Sequence, residues 1–183
     1  MRLCRKRGRV NQMERILVVI DMQNFFITGQ LGTHEAKAIV PAVAEKIKNF
    51  DGAVYVTQDI NPFIDENSPD FAIYPPIAAA LPENAVYIHK NTTGCIELSQ
   101  AISAEYSHLN AFSPDGKPLL EIVFCGVCTN VCVISNLLIL KAFLPKVKYA
   151  VDASCCAGFT PELHKAALDV MQSNRIEIIV NAL

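Results

Sequence analysis

Tryptophan is absent from the 183 residues, histidine occurs only four times, and acidic and basic side chains nearly cancel, to a formal charge of -2. Any aromatic wall of a pocket must therefore come from phenylalanine or tyrosine, and imidazole ligands for a metal are scarce. The small net charge excludes nucleic acid or an acidic membrane as the main partner. No apolar run approaches the roughly 20 residues that span a bilayer. Internal repeats, low-complexity segments and dividing linkers are missing too. The basic opening from Arg2 to Arg9 is not followed by a signal-peptide core, because the apolar run Ile16–Ile20 is short and ends at Asp21. Residues 1–13 therefore read as a disordered tail or an extended start, and 14–183 as a single domain.

What is present is apolar: 51% of the residues are hydrophobic, enough for one compact α/β domain. Seven cysteines, an odd number with Cys155 and Cys156 adjacent, do not form a secreted disulfide framework. They read as reduced, mostly packed thiols in a cytoplasmic protein.

Short apolar runs recur along the chain as candidate buried strands: 15–20, 53–57, 85–89, 121–125, 147–151 and 176–180. Helical patterns separate them at about 34–50, 96–106, 130–144 and from Thr160 onward. Pro41 implies a kink or late start in the first of these, and Thr160-Pro161 is a cap followed by a first-turn proline. Residues 61–76 and 107–117 read as loops. Strands alternating with helices predict a doubly wound, mostly parallel six-stranded sheet with helices on both faces.

In such sheets the site lies beyond the carboxyl ends of the strands. Asp21 follows the first strand, Lys90 the third, and Cys132 lies just past the fourth. A helix start after the fourth strand would favour the thiolate of Cys132. Together a carboxylate, an ammonium and a thiol make an acyl-transfer set, with Cys132 as nucleophile and Asp21 accepting its proton. Taken alone, Cys132 could be a packed small residue. Cys125, Cys128 and Cys132 as metal ligands are disfavoured, because the spacing straddles a strand end and no second pair follows.

Asp21-Met22-Gln23 with Phe26, Lys90, Gly126-x-x-Thr129-x-x-Cys132-Val133, and Asp152-Ala153-Ser154 followed by Thr160-Pro161-Glu162 and His164 appear in one order. With these pieces the sequence resembles the isochorismatase-like cysteine hydrolases, the superfamily of nicotinamidases and N-carbamoylsarcosine amidase, over nearly all of 15–180. The resemblance implies a catalytic triad of Asp21, Lys90 and Cys132, and an oxyanion hole of the Cys128 and Cys132 backbone N–H groups. It also implies a cis peptide at Val127-Cys128, Phe26 along the substrate, Gln23 behind the site, and a homo-oligomer acting on a small molecule.

Two departures stand out. Nicotinamidases of that superfamily hold a divalent metal with an Asp-x-His pair and a further His after the second strand. Here the pair is Asp59 and Asn61, and an Asn carbonyl is a weak ligand. The pocket tryptophan is missing, with Tyr74 as the candidate replacement. The expectation is thus a cysteine hydrolase of a small carboxamide or related C–N bond, with no cofactor and no metal. The alternatives are a vinyl-ether hydrolase of the isochorismatase type, or a non-catalytic or redox member that binds a small molecule.

Overall fold

The computed structural model describes residues 13–60, 64 and 66–180. The tail expected over 1–13 lies outside them except for Met13, and so does Asn61.

Strand β1 (Glu14–Ile20) is the centre of the molecule, and Ile16 through Ile20 are fully buried. An unbroken run of branched apolar residues suits a strand covered on both faces, where alternation is lost. Around it stand β2 (Ala53–Asp59), β3 (Val86–Lys90), β4 (Leu120–Val127), β5 (Lys148–Ala157) and β6 (Glu177–Ile179). The order is β3-β2-β1-β4-β5-β6, and every pairing is parallel. Parallel neighbours need crossovers, and right-handed crossovers place helices on opposite faces for the two halves. One half contains α1 (Asn24–Ile27), α2 (His34–Ala38), α3 (Val40–Asn49) and α4 (Pro75–Ala78). The other contains α5 (Ile96–Tyr106), α6 (Ile134–Phe143) and α7 (Pro161–Ser173). The predicted fold class is the observed one.

Pro41 sits in the first turn of α3, where its missing N–H costs nothing, and the predicted long helix breaks there into α2 and α3. The loop after β2 contains a 3-10 turn at Pro69–Phe71 and the short α4, each with proline in its first turn. The larger departure follows β4. The predicted helix over 130–144 begins as a π-turn, Thr129–Val133, before α6 takes over. Gly126 makes the approach to this turn possible: its φ is +112°, and a Cβ there would lie 2.2 Å from the Ile20 carbonyl oxygen. No side chain fits that position.

Charge pairs close the amino ends of the inner strands, opposite the crevice. Glu121 pairs with Arg15 at 2.7 Å and with Lys148 at 2.8 Å. Burial pushes the Glu121 carboxyl upward, but Lys148 and Arg15 outweigh it and hold the group below its ordinary value of 4.5. A depressed carboxyl contributes stability that is present above 4.5 and lost as pH falls through the folded value. Urea midpoints measured from about pH 6 down to 3 should therefore fall less steeply in Glu121→Gln than in the wild type. An equal slope in the two proteins would contradict this assignment.

Candidate active site

The strand order reverses between β1 and β4, and the crevice beyond their carboxyl ends is where open parallel sheets build sites. Asp21 stands at the tip of β1 with a φ of +50°, an uncommon conformation for a residue with a side chain. Thr57 of β2 holds it twice: the Asp21 N–H donates to Thr57 Oγ1 at 3.1 Å, and that hydroxyl donates to Asp21 Oδ1 at 2.6 Å. The register of β2 and β3 sets Asp59 opposite Lys90.

Lys90 links these elements. Its Nζ lies 2.8 Å from Asp21 Oδ2, 3.1 Å from Asp59 Oδ2 and 3.6 Å from Cys132 Sγ, and donates to the Thr92 carbonyl at 3.0 Å. The side chains of Lys90 and Asp21 are fully buried, so solvent screens none of this. Cys132, on the π-turn, is 6% exposed. Asp21, Lys90 and Cys132 thus come together as predicted, and Asp59 joins them.

Burial sets the protonation of the group. It raises the Asp21 carboxyl, with Asp59 adding to the rise and Lys90 and Thr57 opposing it. Burial alone would lower the Lys90 ammonium, yet Asp21, Cys132 and Asp59 reverse this and keep it firmly charged. The Cys132 thiol is pushed far up, first by burial and then by Asp21, against the pull of Lys90. This corrects the expectation of a resting thiolate: a helix start favours the anion by about 0.3–1 kcal/mol in exposed settings, and desolvation here exceeds it. Burial thus favours the neutral thiol at Cys132 and raises the proton affinity of Asp21.

Other expected residues lie around this group. Gln23 is buried and ties two loops together: Nε2 donates to the carbonyls of Phe71 (2.9 Å) and Asp59 (3.2 Å), while Oε1 accepts from the Asp59 N–H (2.7 Å). Phe26, on the short α1, packs edge-on against Phe25 at 5.1 Å. Cys128 precedes the π-turn, and the Val127-Cys128 peptide is cis, where the resemblance implies it. Its thiol is pushed up to about 12 by burial and by Asp21. Tyr74 caps α4, and its N–H donates to the Met22 carbonyl at 2.8 Å. His164, on α7, reaches the π-turn: its Nδ1 lies 2.8 Å from Thr129 Oγ1. His89 packs on Phe71, at 5.4 Å between rings.

A cavity of about 160 Å3 opens beside Lys90, lined by Ile60, His89, Lys90, Asn91 and Glu97. A larger one, about 680 Å3, lies between α3 and β5 and touches none of Asp21, Lys90 or Cys132. Volume alone would favour the larger cavity; of Asp21, Lys90 and Cys132, only Lys90 lines the smaller one.

A profile of the isochorismatase domain matches residues 15–181. The chain belongs to the isochorismatase family. It is thus a hydrolase of that family, whose members act on small molecules. No curated protein matches the sequence. Among solved structures, a pyrazinamidase of Pyrococcus horikoshii in complex with zinc is 23% identical, with a TM-score of 0.74, covering 92% of this chain and 99% of its own. An isochorismatase-like hydrolase from Alkaliphilus metalliredigens is 18% identical, with a TM-score of 0.72 and 92% of each chain covered. A nicotinamidase from Bacillus subtilis is 18% identical, with a TM-score of 0.71, covering 91% of this chain and 99% of its own. At these identities the likeness shows the shared fold.

The expectation of no metal is overturned. The archaeal pyrazinamidase was solved with zinc, and here Asp21, Asp59 and Cys132 each offer a buried ligand atom, all within 4.8 Å of one another. Asp59 Oδ1 is buried and makes no hydrogen bond among the described residues. Carboxylate oxygen and thiolate sulfur are ligands zinc accepts, so the donor set fits a divalent cation. The missing imidazoles pointed away from a metal, but folding adds the Asp59 carboxylate to Asp21 and Cys132 and so completes a donor set without histidine. Among the described residues, no helix is long and apolar enough to cross a membrane.

Proposed function

We propose that this hydrolase is a cysteine amidase that releases ammonia or an amine from a small carboxamide. The observation that carries the reading is the Lys90 ammonium within reach of both Asp21 (2.8 Å) and Cys132 (3.6 Å) in a buried crevice. Burial raises the Asp21 carboxyl and so strengthens it as a base toward the thiol as Sγ attacks the carbonyl carbon. Lys90 stabilises whichever partner holds the negative charge. The backbone N–H groups of Cys128 and Cys132 receive the developing oxyanion.

Asp21 then passes its proton to the departing nitrogen, the C–N bond breaks, and a thioester remains on Cys132. A water molecule, deprotonated by Asp21, attacks the thioester; the acid leaves and the thiol is restored. A divalent cation held by Asp59, Asp21 and Cys132 would supply Lewis-acid charge in the resting crevice, and Asp21 and Cys132 would have to be released from it to act as base and nucleophile. Phe26 supplies an apolar wall for the substrate, Gln23 holds the loop beneath it, and Tyr74 is the aromatic residue available in place of tryptophan.

Ammonia release from a panel of small amides, including nicotinamide and pyrazinamide, tests the reading; no release from any of them would count against it. For the cation, one equivalent of zinc should slow alkylation of Cys132 by iodoacetamide in the wild type and not in Asp59→Asn. Equal slowing in both would remove Asp59 from the ligand set.

A further inference from the structure

Asn136 is a polar residue in the first turn of the apolar α6, and it is fully buried. Both hydrogens of its amide are used. Nδ2 donates to the Cys132 carbonyl at 2.7 Å, one turn back along the helix, and to the Thr93 carbonyl at 2.9 Å, in the turn that follows β3. The neighbouring carbonyl of that turn, Thr92, accepts from Lys90 Nζ at 3.0 Å. A continuous set of contacts therefore runs from the backbone of Cys132, through Asn136 and the 92–93 turn, to the Lys90 ammonium. The other end of the amide is unused: Asn136 Oδ1 is buried without a hydrogen-bond partner among the described residues. A buried carbonyl left unpaired is destabilising, and an apolar residue of similar size would avoid it. Helix packing alone gives no reason for an amide here; the two donated bonds do.

We infer that Asn136 is a positioning residue that locks the Lys90 turn to the Cys132 turn and so fixes the ammonium beside the thiol. It touches neither substrate nor the reacting atoms. Its donor to the Cys132 carbonyl sets the plane of the peptide that follows the nucleophile, and its donor to Thr93 holds the turn against which Lys90 is fastened. Among the described residues this bridge is the hydrogen bond between the 91–94 turn and α6; at Gly94 the helix approaches through carbon, and a Cβ there would meet Ile139 Cδ1 at 2.4 Å and Ser135 Cβ at 3.7 Å. Loss of the bridge lets the ammonium and thiol drift apart while the fold persists.

The inference rests on the cysteine-nucleophile reading, so the test uses a probe that needs no substrate. The rate of iodoacetamide alkylation at Cys132 is followed by peptide mapping across a pH series, beside the thermal midpoint. Asn136→Leu should slow alkylation about 10–100-fold at neutral pH and move its rise to higher pH, with the midpoint unchanged or higher. Asn136→Ser keeps a hydroxyl able to bond the carbonyl four residues back and loses the reach to Thr93, so it should fall between Leu and wild type. If Asn136→Leu does not fold, Asn136→Ser decides alone. An unchanged rate and pH profile, or slowing that merely tracks loss of folded protein, would overturn the inference. A wild-type Cys132 that alkylates no faster than the buried Cys125 would instead count against the nucleophile itself.

Discussion

Cys132→Ala should lower ammonia release from a responsive amide by about 10,000-fold or more, with an unchanged fold. The site is a unit: Asp21 has no proton to move without the thiol, and Lys90 has no anion to stabilise beyond the carboxylates. Removing the nucleophile of such a group costs about as much as removing all of it. The structure predicts little effect on stability, because the lost sulfur is one small, nearly buried group, and Lys90 and Asp21, the side chains it bonds, keep each other as partners. A stable Cys132→Ala protein that retained activity would leave the metal-assisted or vinyl-ether chemistry as the better reading.

Lys90→Met should be the most damaging single change to stability, at about 3–5 kcal/mol, because it strands Asp21 and Asp59 without their shared cation. Methionine fills much of the same space, so the cost is electrostatic rather than a cavity. Its sign with pH follows from Asp21. That carboxyl is already raised by burial and is lowered by Lys90; without the ammonium it rises further. The folded variant then binds a proton that the unfolded chain gives up, so the deficit relative to wild type should be widest near neutrality and shrink on acidification. Chemical denaturation of both proteins at about pH 7 and 5 checks this. A deficit under about 1 kcal/mol, the size of an exposed pair, would show that the three charges are solvated.

The sheet was legible in the sequence because its strands are buried on both faces and read as unbroken apolar runs, and because Asp21 and Lys90 interrupt those runs at their ends. The order of those ends in a doubly wound sheet was enough to bring a carboxylate, an ammonium and a thiol together. The π-turn was not legible: Thr129–Val133 differs from an α-helical start by one residue in its hydrogen bonding, and no side-chain pattern marks that. Asp59 was undervalued for a related reason. Considered as half of a ligand pair it looked incomplete, whereas the β2–β3 register, invisible in sequence, sets it against Lys90. The state of the thiol was misjudged because the helix start was weighed and the burial of the whole crevice was not. Thr57, Asn136 and the Thr129–His164 contact belong to strand and helix faces that sequence periodicity treats as ordinary packing.

The central claim is a covalent acyl group on Cys132, and rapid quenching followed by peptide mapping tests it directly. Wild-type protein mixed with nicotinamide, pyrazinamide and simple aliphatic amides should, with at least one of them, carry the matching acyl mass on Cys132 in the first turnovers. Ammonia should appear in step with that mass. Turnover of an amide with no acyl mass on Cys132, and undiminished in Cys132→Ala, would contradict the account.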